Sequence, residues 1–148
     1  MQKKLLLIIP ILFFLNINEL KVISYNIRYN NSNDGINTWE NRRSTIKNFI
    51  VDENPDFAGL QEVTYSQLMF LTESLKDYDY IGVGRDDGKT KGEFSPIFYN
   101  KNKYKVLTND TFWLSSTPEK VSIGWDASME RICTYCLLYT SPSPRDPV

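Results

Sequence analysis

Ser24-Tyr25-Asn26-Ile27-Arg28 and Gly59-Leu60-Gln61-Glu62 are the stretches whose reading decides the fold. Each closes an apolar run on one polar side chain, Asn26 in the first and Glu62 in the second. Between them, Trp39 to Glu53 carries Ile46, Phe49 and Ile50 at helical spacing, the face expected to meet a sheet. Asn54-Pro55 stops that helix, because proline disfavours helical backbone in the residue before it. The segment therefore reads β-α-β. Such a crossover is nearly always right-handed and leaves its two strands parallel. Parallel strands bring their carboxyl ends to one edge of the sheet, where α/β proteins place ligand crevices. An amide and a carboxylate delivered there make a hard-oxygen site suited to a cation of the magnesium class.

Outward from this unit, Asp56 to Glu62 is apolar until its last two residues, as expected of a strand covered on both faces. Thr64 and Gln67 then have the spacing of a capping box, opening a second helix whose Leu68, Leu71 and Leu75 form one stripe. Shorter strand-like runs follow at Tyr80–Val83, Pro96–Asn100, Tyr104–Leu107, Thr111–Ser115 and Arg131–Tyr135. No internal repeat is visible. Lysine plus arginine number 17 against 18 aspartate plus glutamate, for a net charge of -1, and no basic run occurs. The electrostatic footprint of a dedicated nucleic-acid binder is therefore missing, which still leaves a nuclease open.

The ends differ in character from the middle. Lys3-Lys4 followed by the apolar run Leu5–Leu15 is too short for a bilayer span, which needs about 20 residues, and fits a secretory leader. Residues 1–18 are accordingly expected to be a signal peptide, and the protein to be secreted or periplasmic in a bacterium. Cys136-Leu137-Leu138-Tyr139-Thr140-Ser141-Pro142-Ser143-Pro144-Arg145-Asp146 resembles the in-frame translation of a sequencing adapter, so residues 136–148 are expected to be a foreign tail. The rival account is a genuine Ser/Pro-rich linker. Cys133 and Cys136 spell C-x-x-C, a spacing met in redox pairs and zinc sites. On a strand, residues three apart point to opposite faces, so the two sulfurs would not converge, and Cys133 is expected to be a lone buried cysteine.

Tyr25-Asn26 and Gln61-Glu62 at this spacing resemble the first two signatures of the endonuclease/exonuclease/phosphatase family, the deoxyribonuclease-I-like metal-dependent phosphoesterases. Gly84-Arg85-Asp86-Asp87-Gly88, Gly92 to Tyr99, Phe112-Trp113-Leu114-Ser115, Thr117-Pro118-Glu119, Gly124-Trp125-Asp126 and Arg131-Ile132-Cys133-Thr134 agree in order. Singly each motif is weak, but in series they are similar to one secreted bacterial branch. The resemblance implies an α/β fold, the N-terminal half of a four-layer α/β sandwich in which two mixed β-sheets are flanked by helices. Residues 19–135 would then be the N-terminal part of such a domain, truncated within the sandwich.

The same resemblance implies a secreted phosphoesterase that hydrolyses phosphodiester or phosphomonoester bonds with Mg2+, or alternatively Mn2+. Its substrate would be a phosphate ester: nucleic acid, phospholipid headgroup, or sugar or inositol phosphate. No protein partner is implied. Glu62 would be the principal metal ligand, and Asn26 would help position the metal or the phosphate. The competing accounts are a glutamate that only caps the next helix and an asparagine that only forms a turn. Many relatives carry an acid two residues after this asparagine; here it is Arg28, which leaves fewer carboxylates for any second ion. Arg85 could grip a phosphate through its planar fork or pair with Asp86 and Asp87. Arg131 could face the cleft, Glu93 is either an outer carboxylate or loop charge, and Trp113 and Trp125 are either cleft walls or packing. The family's catalytic histidine has no counterpart, since the chain contains no histidine, and the resemblance puts the family's Asp-x-Asn and Asp-His signatures in the second half of the domain. The alternative from a different class is a catalytically dead ligand- or protein-binding module on the same fold.

Overall fold

The computed structural model describes residues 19–140. The expected leader, residues 1–18, and residues 141–148 of the expected tail lie outside the described residues. Strand β1 (Val22–Asn26) leads through a short 3-10 turn at Gly35–Asn37 into helix α1 (Trp39–Glu53), and strand β2 (Phe57–Gln61) follows. β1 and β2 are parallel, in a register that sets Val22 beside Phe57 and Asn26 beside Gln61. The β-α-β reading thus holds, and α1 has the bounds its sequence suggests. It stops at Asn54, whose N–H makes the last helical bond, to the Ile50 carbonyl, and whose left-handed backbone (φ 44°) turns the chain away before Pro55.

Helix α2 (Tyr65–Ser74) starts with the capping box: the Thr64 N–H donates to Gln67 Oε1 at 2.9 Å. Strands β3 (Tyr78–Ile81) and β4 (Ile97–Asn100) complete a mixed four-stranded sheet in the order β1-β2-β4-β3, with β4 antiparallel to both neighbours. β3 begins two residues before the expected Tyr80–Val83 run, because Tyr78 is buried and its hydroxyl donates to the Pro55 carbonyl at 2.6 Å.

Ile23, Ala58, Phe98 and Tyr80 pair in one row across the sheet, with Tyr25 and Leu60 in the next row. On that face sit Ile46 and Ile50 of α1 and the stripe Leu68, Leu71 and Leu75 from α2, each at most 3% exposed. Each such side chain contributes about 1.5–3 kcal/mol of burial. Phe49 departs from expectation. It is 40% exposed and meets Tyr25 edge-to-face at 5.5 Å, because it lies at the margin of the helical face beyond the edge strand β1. The opposite face of β2 is half-buried, with Phe57 against the Tyr104 ring at 4.6 Å.

A second sheet is the antiparallel pair β5 (Tyr104–Trp113) and β6 (Ile132–Thr140). Tyr104–Leu107 and Thr111–Ser115, expected as separate strands, join into one that ends at Trp113, because polar Thr108, Asn109 and Asp110 pair with β6 after an irregularity between Val106 and Thr108. β6 begins one residue later than expected and runs past Tyr135, with Cys136 opposite Asn109 and Thr140 opposite Tyr104. Its alternation leaves Cys133 exposed rather than buried and Cys136 half-buried, both free. The opposite-face argument against a C-x-x-C site therefore holds, although the burial assigned to Cys133 does not. Among the described residues no helix is long and apolar enough to cross a membrane.

Asp56, at the entry to β2, ties the sheet to its flank. It is 4% exposed, its Oδ2 accepts from the Lys21 N–H at 2.8 Å and its Oδ1 from Lys103 Nζ at 2.9 Å. Burial pushes its pKa up, but the Lys21 amide and the Lys103 ammonium together bring it below the ordinary 3.8. A lowered folded value stabilises the fold above pH 3.8, and that contribution fades as the pH falls through the folded value. Asp56→Asn is expected to destabilise at pH 7, with the difference from the parent shrinking below pH 3.8; denaturant unfolding at pH 7 and at pH 3 measures both.

Candidate metal and phosphate site

β1 and β2 end side by side, and their last turns place the site. Glu62 follows β2 with φ 60°, a left-handed backbone that costs a non-glycine residue about 1–3 kcal/mol. Val63 then pairs with Phe94, and Thr64 caps α2. Asn26 Nδ2 donates to Glu62 Oε1 at 2.9 Å, joining the two strand ends, while Asn26 Oδ1 accepts the Arg28 N–H at 2.9 Å. The Tyr29 N–H donates to Glu62 Oε2 at 3.2 Å. Glu62 is therefore held from both oxygens. Its pKa is lowered first by the Asn26 hydrogen bond, against a smaller penalty for burial, and further by the Tyr29 amide and the charges of Arg28 and Arg85. A charged carboxylate is the result.

The pair opens into a cleft of about 330 Å³ whose lining includes Asn26, Glu62, Arg85, Glu93, Ser95 and Arg131. All four expected site residues, Asn26, Glu62, Arg85 and Arg131, meet here. A larger hollow of about 560 Å³ lies against Gly88, Phe112, Trp113 and Tyr135, but it lacks the amide–carboxylate pair. Arg85 Nη1 donates to Glu93 Oε2 at 3.0 Å, and its buried Nε lies 3.5 Å from Asp86 Oδ1 without a hydrogen bond. Its principal partner is thus Glu93, eight residues along, brought close because the loop from Gly84 to Glu93 folds back on itself: the Arg85 N–H donates to the Glu93 carbonyl at 3.1 Å. Gly84 permits that fold, since a Cβ there would strike the Lys91 backbone. Asp87 instead accepts the Lys89 and Lys91 amides within the loop.

Trp113 is buried, and its indole N–H donates to the Arg85 carbonyl at 2.8 Å, so it supports the loop as packing. Trp125 is 82% exposed and lines neither hollow. Arg28 forms a two-pronged pair with Asp34, Nε to Oδ2 at 3.0 Å and Nη2 to Oδ1 at 2.9 Å. Sequence alone missed this pair, although a short polar loop carrying one acid six residues after Arg28 was visible. It also treats Gln67 only as a cap, whereas the side chain is wholly buried and reaches the Arg28 carbonyl.

Among the described residues no three histidines, cysteines or acids gather as a metal cluster. The donors present nonetheless suit one hard cation. Each Glu62 oxygen accepts one hydrogen bond and keeps a lone pair, and so does Asn26 Oδ1. Magnesium is commonly held by one or two carboxylates, with water and substrate phosphate completing its octahedron.

A mixed sheet backed by helices carries an amide–carboxylate pair beside an arginine at its strand ends, an α/β fold with a polar cleft at one sheet edge. Residues 23–141 match the model of the Endonuclease/Exonuclease/phosphatase family, so the chain belongs to that family. Among solved structures, an endonuclease/exonuclease/phosphatase from Bacteroides vulgatus is 45% identical with a TM-score of 0.80, over 82% of this chain and 47% of that one. The mannosyl-6-phosphatase of Bacteroides thetaiotaomicron is 43% identical, also with a TM-score of 0.80, over 82% and 46%. A curated protein of Acanthamoeba polyphaga mimivirus is 32% identical over 126 residues, 79% of this chain and 47% of its own length. The chain spans about half the length of these relatives.

Removing the Asn26 amide removes the largest influence holding Glu62 in its charged form. Asn26→Ala is therefore expected to raise the Glu62 pKa toward its ordinary 4.5. Carboxyl-carbon NMR titration of metal-free protein, labelled at glutamate, follows that shift directly.

Proposed function

We propose that the protein is a magnesium-dependent hydrolase of phosphate esters, with Glu62 and Asn26 at the metal and Arg85 and Arg131 at the substrate. The observation that carries this reading is the charged Glu62, fixed by Asn26 and Tyr29 beside Arg85 in one cleft. Family membership supports phosphate-ester chemistry, since the family joins nucleases and phosphatases. The relative that acts as a mannosyl-6-phosphatase supports a phosphate ester of a sugar as one substrate class. Lys3-Lys4 and the apolar run behind them support export, to the periplasm or beyond a bacterial cell.

A bound ion would supply Lewis-acid stabilisation of charge on the phosphoryl and leaving oxygens. Glu62 holds that ion through its free lone pairs, and the Asn26 amide keeps the carboxylate turned toward the cleft. Arg85 brings guanidinium N–H groups that Glu93 and Asp86 leave open, a planar fork suited to phosphate oxygens. Arg131, exposed just before β6, lines the same cleft and would meet the substrate there.

Initial rates against magnesium concentration test this, using protein expressed from its complete reading frame with a phosphomonoester and a phosphodiester as substrates. Glu62→Gln keeps the shape and removes the charge that holds the cation, so turnover is expected to fall by several orders of magnitude. Asn26→Ala is expected to cost less, because a neutral amide contributes orientation. Near-parental rates in Glu62→Gln would remove that residue from the metal site. Absence of turnover in the parent, with phosphate ligands still bound, would favour a binding module on the same fold.

A further inference from the structure

Gln67 makes more bonds than a helix cap requires. In a capping box the third helical residue need only accept from the cap amide, and glutamate serves as well as glutamine. Here Gln67 Oε1 accepts from the Thr64 N–H at 2.9 Å, the Thr64 hydroxyl at 2.8 Å and the Asn30 N–H at 3.1 Å. Its Nε2 donates to the Arg28 carbonyl at 2.8 Å, across 39 positions of sequence. The side chain is 0% exposed, so a buried amide is spent on a loop outside its own helix.

That loop orients both metal-site residues. The Arg28 N–H meets Asn26 Oδ1, and the Tyr29 N–H meets Glu62 Oε2. Arg28 itself is left-handed, with φ 62°, a backbone that persists only where its surroundings hold it. The opposite side of the loop is held from α1. Arg42 Nη1 donates to the Ile27 carbonyl at 2.7 Å, Nη2 to the Arg28 carbonyl at 3.4 Å, and Nε to the Asn37 carbonyl at 2.6 Å. The Arg28 carbonyl is thus gripped by an amide from α2 and a guanidinium from α1.

We infer that Gln67 is a positioning residue for the metal site, acting through the Arg28 carbonyl to aim the Arg28 and Tyr29 amides at Asn26 and Glu62. The inference rests on the functional reading above, in which Glu62 holds a divalent ion. A purely structural cap would accept Gln67→Glu without consequence. A positioning residue would not, because a carboxylate has no N–H for the Arg28 carbonyl and turns a lone pair toward it. Groups that orient a metal ligand from behind typically govern affinity by about 10- to 100-fold when removed.

The test is calorimetric titration of magnesium alone into metal-free protein expressed from its complete reading frame, with circular dichroism reporting the fold. Gln67→Glu is expected to weaken magnesium binding by about 10-fold or more, and Thr64→Ala, which spares the amide, to bind as the parent does. Parental affinity in Gln67→Glu overturns the inference while leaving the functional reading intact. No magnesium binding by the parent overturns both. Should Gln67→Glu unfold, Arg42→Lys decides: it keeps the charge and loses the fork on Ile27 and Arg28. Weakened binding in a folded Arg42→Lys supports the two-sided grip, and parental binding overturns it.

Discussion

One hydrogen bond, Asn26 Nδ2 to Glu62 Oε1, joins the ends of two parallel strands, and the site depends on it. It forms because the register sets Asn26 beside Gln61, one residue short of Glu62. A two-residue slip would carry the amide beyond reach, and a one-residue slip would turn β1's half-buried face outward. Register is held in turn by apolar pairing: Ile23 with Ala58 and Tyr25 with Leu60, over a core that includes Ile46, Ile50 and Leu71. The charged carboxylate is thus supported by burial several residues away. Glu62 carries left-handed backbone at the same point, and its hydrogen bonds to Asn26 and Tyr29 oppose that cost.

What was legible in the sequence was local or periodic. The α1 bounds followed from helical spacing and Asn54-Pro55, the start of α2 from Thr64 and Gln67, and the parallel pair from β-α-β order. Asn26, Glu62, Arg85 and Arg131 were visible as polar residues at strand ends and loop starts, and they line one cleft. What stayed hidden was set by tertiary closure. The partnership of Arg85 with Glu93 depends on the fold-back of a loop around Gly84. The length of β5 depends on β6 pairing across residues too polar to look like strand. Phe49 has helical spacing, yet it meets only the rim of the sheet at Tyr25 of the edge strand and stays 40% exposed. Gln67 shows how a correct local assignment can be incomplete, since its cap role is written in four residues and its grip on Arg28 is not.

The electrostatics of the cleft follow from how the arginines in and beside it are paired. Arg28, beside the cleft, follows Asn26 by two residues. It is bound to Asp34 by two prongs, lies 4.7 Å from the Tyr29 ring centre, and adds to the lowering of the Glu62 pKa. An acid there would repel Glu62, whereas the Arg28 guanidinium favours its charged form. Arg85 is paired too, with Glu93 and Asp86, yet its buried Nε–H remains unspent. Arg85 is thus balanced by two acids, so an anion in the cleft would gain from it chiefly directed N–H donors. Selectivity in such a cleft rests on the reach and angle of those donors, which the Gly84–Glu93 fold-back and the Trp113 indole hold in place.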